Sequence, residues 1–217
     1  MLRQHRDVLR CLEKSDCSID AMTEPAPFNF EDARMVPIPP QFYSLETDRP
    51  FGTCLRCSHP LLSGEPPYMI ERVFKRDEPI IEYAICLCCA DSANSELSSE
   101  SLQAIRNWFQ EHFDADARLE RLCESNETDD AMPLFCECVI TGQAASECDE
   151  RQIMALCRGD QMMLGISSPI MLSGAAIEKL VKLLSEQTKG WLADFVGDNF
   201  GMSPEFCDNP DLLPLLI

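Results

Sequence analysis

The chain has 217 residues, with 37 Asp and Glu against 18 Lys and Arg for a formal net charge of −19. Its 45% hydrophobic and 25% charged residues exclude wholesale disorder, and the length suits one large domain or two small ones. The charge is unsuited to unassisted binding of nucleic acid or an anionic membrane, which need clustered Lys and Arg, and no stretch approaches the roughly 20 apolar residues of a membrane span.

Residues 1–21 read as a short polar helix. They contain Arg3, Arg6 and Arg10, but Asp7, Glu13, Asp16 and Asp20 interrupt them. With no continuous apolar run and no small-residue cleavage site, neither a signal nor a transit peptide is expected. Met22 is a candidate alternative start. It opens an arm in which Pro25, Pro27, Pro37, Pro39 and Pro40 preclude a long helix. Residues 1–45 are therefore expected as a polar helix followed by a Pro-rich arm.

Residues 46–118 form the first expected unit. Tyr68 to Phe74 and Pro79 to Ile85 are strand-like runs separated by a charged turn, Lys75 to Glu78, which reads as a β-hairpin. A helix follows in 98–113. Ser99 or Ser101 can cap it, and Leu102, Ile105, Phe109 and Phe113 share one face. His112 reads as a helix-surface residue.

Residues 119–132 are expected as an acidic linker. The stretch 91–150 carries 15 acidic against 3 basic side chains, so most of the net charge is central. Residues 133–217 form the second expected unit. A second hairpin candidate, Gln152 to Cys157 and Gln161 to Ser167, surrounds Arg158-Gly159-Asp160. Two helices follow, one with Ile177, Leu180, Val181 and Leu184 on its apolar side and one containing Trp191, Leu192, Phe195 and Val196. The apolar tail, Leu212 to Ile217, is expected against the surface. The fold class is α+β: a small hairpin-plus-helix unit, then a second α+β unit with C-terminal helices.

The 13 cysteines are an odd count, so complete internal pairing is impossible, and a reducing cytoplasm with metal-bound and free thiols is the expected setting. The strongest signal is Cys54-Leu-Arg-Cys57 with Cys86-Leu-Cys-Cys89. Two residues between cysteines let a tight turn aim both sulfurs at one ion. The intervening hairpin brings the pairs together, and four thiolates are the complement of tetrahedral Zn²⁺. The expected ligands are Cys54, Cys57, Cys86 and Cys89, forming one structural zinc site with no open coordination position. Cys88 could exchange with a neighbour in the second pair, and His59 is expected beside the site or exposed.

Two CxxC pairs flanking a hairpin and followed by a helix resemble the zinc ribbon and treble-clef groups over about residues 50–113. That resemblance implies a small metal-stabilised scaffold used for protein or nucleic-acid contacts. In the second unit, Cys136, Cys138, Cys148 and Cys157 could hold a second metal. Alternatively the unit is a degenerate copy of the first, with Cys136/Cys138 aligned near Cys54/Cys57 and Ser167-Ser168 near Cys86.

No HExxH, GxSxG, P-loop or GxGxxG motif is present. The expected function is a non-catalytic, zinc-stabilised protein-interaction or adaptor module with a protein partner and no membrane. A zinc–thiolate redox sensor is the alternative. A nucleic-acid-binding ribbon is disfavoured because residues 51–90 offer only Arg56, Arg72, Lys75 and Arg76.

Overall fold

A computed structural model describes residues 33–128 and 130–201. The N-terminal polar helix, most of the Pro-rich arm, His5 and the apolar tail lie outside the described residues. Among those described, five helices accompany a six-stranded antiparallel sheet, in agreement with the α+β expectation. The strands are β1 (Arg34–Pro37), β2 (Tyr68–Lys75), β3 (Glu78–Cys86), β4 (Glu150–Arg158), β5 (Gln161–Leu164) and β6 (Ile170–Ser173). The helices are α1 (Leu87–Asn94), α2 (Ser99–His112), α3 (Ala115–Thr128), α4 (Gly174–Leu183) and α5 (Glu186–Phe200).

The sheet order is β1-β5-β4-β2-β3, with β6 also on β4. The two expected units thus share one sheet, joined where β2 pairs β4 from Tyr68↔Cys157 to Lys75↔Glu150. Both strands are buried along most of their length, which explains their near-continuous Ile, Leu, Val, Met and Tyr content rather than a strict alternation. The polar residues inside β2 have partners, although Arg72 Nε is left without one among the described residues: Tyr83 donates to Glu71, and Arg72 donates to the Gln41 carbonyl at 2.5 Å and pairs with Glu82. Around β2, β3 and β4 pack Phe42, Ile81, Tyr83, Ile85, Met171, Ile177 and Leu180, all essentially without solvent contact.

The two hairpins have different fates. β3 follows β2 for its whole length, from Lys75↔Glu78 to Tyr68↔Cys86. β5 pairs β4 only at Arg158↔Gln161 and Cys157↔Met162, while its other edge pairs β1 along its whole length, from Pro37↔Gln161 to Arg34↔Leu164. After residues 165–169, the chain returns as β6 to resume pairing at Met154↔Ile170 through Arg151↔Ser173. The second hairpin is therefore shorter than the run Gln161 to Ser167 suggests.

Helix α1 was not legible in the sequence, because LCCADSAN has no apolar stripe beyond the buried Ala90 and Ala93. The cap of α2 is Ser98, whose hydroxyl accepts the Ser101 N–H, rather than Ser99 or Ser101. α5 begins the same way, with Ser185 accepting from Thr188. The two caps interlock: Ser98 N–H donates to Thr188 Oγ1 at 3.1 Å, Ser185 N–H donates to Ser101 Oγ at 2.8 Å, and Ser98 Oγ lies 2.8 Å from Ser185 Oγ. Because Ser98 serves both its own helix and the facing one, Ser98→Ala is expected to destabilise the fold by about 1–2 kcal/mol, read as a lower urea midpoint at unchanged slope.

Residues 119–132, expected as an acidic linker, hold the second half of α3. That helix is tied down by Arg118, a buried guanidinium that donates to the carbonyls of Leu134 (2.6 Å), Gly165 (3.2 Å), Ile166 (3.2 Å) and Pro169.

Candidate metal centre

The first pair sits on a knuckle closed by the backbone. Cys54 N–H donates to His59 O and Ser58 N–H to Cys54 O, both at 2.9 Å, while Leu61 N–H donates to Gly52 O at 3.0 Å. Ser58 takes φ 60°, the left-handed conformation that turns the chain back. The second pair stands at the end of β3 and the start of α1, where Cys86 is the N-cap and Cys89 lies in the first turn. A further backbone bond, from Leu55 N–H to Ala84 O at 2.8 Å, holds the knuckle to β3.

These elements bring the sulfurs of Cys54, Cys57, Cys86 and Cys89 within 4.8 Å of one another, so the four expected ligands come together. Cys57 Sγ lies 3.8 Å from Cys86 Sγ. Four metal–sulfur bonds of about 2.3 Å define a tetrahedron with edges of about 3.8 Å, so the donor set fits a tetrahedral thiolate-binding ion. Cys54 and Cys86 are buried, while Cys57 and Cys89 are half-buried. Cys88 and His59 lie outside the set. His59 donates from Nε2 to Glu65 O at 2.8 Å and so braces the knuckle's exit.

Sulfur-directed donors charge the site for a cation. Hydrogen bonds from Cys86 and Cys89 hold the Cys54 thiol far below its ordinary pKa, reinforced by backbone N–H groups of Cys57 and Cys86. The Cys86 N–H reaches Cys54 Sγ at 3.3 Å. The same sharing pushes Cys86 well up, through its bonds to Cys54 and Cys89 and through burial. A doubly charged ion bound there would supply the missing positive charge and let all four thiols ionise.

Arg56, between the first two cysteines, reaches Cys89 O at 3.4 Å and pairs with Glu96 at 2.7 Å. Glu96 also accepts the Trp191 indole N–H at 2.9 Å, so the knuckle is linked through two side chains to α5.

The other sulfurs are not gathered into a second ligand set among the described residues. Cys157 is buried on β4, where burial raises its pKa and a bond from Tyr68 opposes that rise. Cys136 and Cys148 donate to the carbonyls of Pro133 and Ala144. His112 binds Trp108 O at 2.9 Å and stacks on the Trp108 ring, which makes it a helix-surface residue as expected. Among the described residues, no helix is long and apolar enough to cross a membrane.

Comparison of the chain with protein-family models, with curated proteins and with solved structures gave no match in any of the three.

Proposed function

We propose that this is a non-catalytic protein-interaction module whose first half is a treble-clef-like zinc unit. The observation that carries the reading is the closed donor set: four cysteine sulfurs within 4.8 Å of one another, two on a knuckle and two at a helix start. Four thiolates fill a tetrahedral ion and leave no position for substrate or activated water, so the metal holds structure. The second pair at the start of α1 favours the treble-clef arrangement over a ribbon. A protein partner suits the acidic composition better than nucleic acid does.

Cobalt substitution of the full chain tests this. The expected spectrum has thiolate charge-transfer and tetrahedral ligand-field bands, unchanged by excess azide or thiocyanate because no site is open. A spectrum that shifts with those anions marks an open, catalytic type of centre and overturns the reading. Acidification gives a second expected result. Protons compete for thiolates of ordinary pKa about 8.5, so affinity falls as pH falls, and zinc release between about pH 6 and 4 should accompany loss of structure.

The partial exposure of Cys57 and Cys89, with half-buried Cys88 beside them, favours one alternative, a zinc–thiolate redox sensor. In that case, stoichiometric peroxide would release zinc with a matching loss of free thiols. Retention of zinc at low oxidant discards it.

A further inference from the structure

The second half repeats the first, contact by contact. Around Cys138, the N–H of Cys138 donates to Gln143 O at 2.8 Å, Gly142 N–H to Cys138 O at 2.9 Å, and Ala145 N–H to Cys136 O at 2.7 Å. These match the Cys54→His59, Ser58→Cys54 and Leu61→Gly52 bonds of the metal knuckle one for one. The left-handed turn residue is Gly142 (φ 69°) where the first knuckle has Ser58 (φ 60°). The bridge Glu137↔Ala144 matches Thr53↔Pro60, and Val139 N–H→Met171 O at 2.9 Å matches Leu55 N–H→Ala84 O. Ser173 ends β6 and is the N-cap of α4, at φ −75° and ψ 157°, as Cys86 ends β3 and is the N-cap of α1 at φ −65° and ψ 147°. Neither N-cap side chain makes a capping bond to a backbone N–H of its own helix.

The contacts between the halves are reciprocal, as in an isologous dimer, where each residue's contact is returned by its counterpart. In the β2–β4 seam, Glu71 faces Met154, and the strands run outward symmetrically from that pair. Tyr68 Oη donates to the carbonyl of Gly159, the left-handed turn residue of the second hairpin. Arg151, at Tyr68's counterpart position, donates to the carbonyl of Arg76, the left-handed turn residue of the first. The helix caps exchange the same kind of bonds, Ser98 to Thr188 and Ser185 to Ser101. Seam, turns and caps thus obey one approximate twofold axis.

We infer that the chain is a fused pair of knuckle–hairpin–helix units, and that Cys138, Thr141, Ser173 and Ala176 are the metal-free counterparts of Cys54, Cys57, Cys86 and Cys89. The assignment differs from the one the sequence suggests, which aligns Cys136/Cys138 with the first pair and Ser167-Ser168 with Cys86. The excursion at 165–169 shifts the count and hides the match. In place of an ion, the second knuckle holds a hydrogen-bonded cluster. Thr141 N–H donates to Cys138 Sγ at 3.4 Å, and Thr141 Oγ1 lies 3.2 Å from Ser173 Oγ. Burial disfavours the Cys138 thiolate, but bonds from Ser173 and Thr141 outweigh it and keep the thiol below its ordinary value. Its backbone donors, Thr141 and Ser173, stand where Cys57 and Cys86 stand around Cys54.

This inference rests on the metal reading of the first site, and its test separates the two. In the full chain, Thr141→Cys, Ser173→Cys and Ala176→Cys are introduced together and cobalt is titrated against unsubstituted protein. The expected result is one additional tetrahedral thiolate-bound cobalt per chain, doubling the charge-transfer absorbance. If the unsubstituted chain binds none and the variant binds one, the first-site reading fails while this one stands. A folded variant that gains no cobalt overturns the inference. Should the triple variant not fold, Thr141→Cys with Ser173→Cys leaves the buried Ala176 in place. It must then add a three-thiolate cobalt site, and absence of new charge-transfer absorbance in that folded variant is equally decisive.

Discussion

Replacing Cys86 by Ser is expected to abolish metal binding and strongly destabilise the first half of the molecule. Cys86 ends β3, caps α1, donates its N–H to Cys54 Sγ and lies 3.8 Å from Cys57 Sγ, so one substitution touches every part of the centre. Zinc contributes about 10–16 kcal/mol of apparent binding free energy in small structural sites, and that binding is coupled to folding. Here the shared sheet supports part of the fold without metal, so the expected loss is smaller, more than about 3 kcal/mol. Metal content should fall below a tenth of the parent's, with a lower urea midpoint. Cys123→Ser, at an exposed thiol outside the cluster, should change stability by less than about 0.5 kcal/mol and leave metal content unchanged. Equal behaviour of the two variants would remove the centre from the account.

Arg118→Met is expected to destabilise the protein strongly while leaving its metal content intact. Arg118 is 3% exposed, and no carboxylate pairs with it among the described residues. Burial, then the nearby Arg121, lowers its pKa to about 10, so it remains charged at neutral pH. Its partners are the carbonyls of Leu134, Gly165, Ile166 and Pro169, which hold the 165–169 excursion against α3. Methionine matches the stem's volume but removes the charged donor from all four carbonyls, of which Gly165 O keeps the Ser168 N–H at 3.4 Å, and charged hydrogen bonds contribute about 1.5–3 kcal/mol each before compensation by water. A net loss of about 3–5 kcal/mol is expected, a fall in Tm of roughly 10 °C. Arg118→Lys should recover only part of it, because an ammonium lacks the planar fork that reaches separate carbonyls. A thermal scan in which methionine is tolerated would show that the excursion is held by other contacts.

The cysteine cluster was legible because CxxC spacing encodes it locally: each pair lies on one turn, and only the meeting of the pairs depends on the fold. The strands Tyr68–Lys75 and Glu78–Cys86 were legible for a similar reason, since β-branched and aromatic runs around a charged turn carry their own signal. Helix α1 was hidden because its register is set by Cys86 and Cys89 rather than by an apolar stripe. The second hairpin was misjudged because its return strand, Ile170–Ser173, follows an excursion held by Arg118, a contact made across 47 or more positions of chain. The counterpart of the metal site was misplaced for the same reason. Thr141 and Ser173 have no metal-ligand signature, and their equivalence to Cys57 and Cys86 rests on backbone hydrogen bonds that no residue pattern announces.

The most direct test of the central claim is the metal content of the full-length chain, measured beside its fold before and after chelation. The account predicts about one zinc per chain, with four thiols protected from alkylation, and loss of near-ultraviolet circular dichroism when the metal is withdrawn. A chain that carries no metal, exposes those four thiols and keeps an unchanged spectrum in chelator would contradict it.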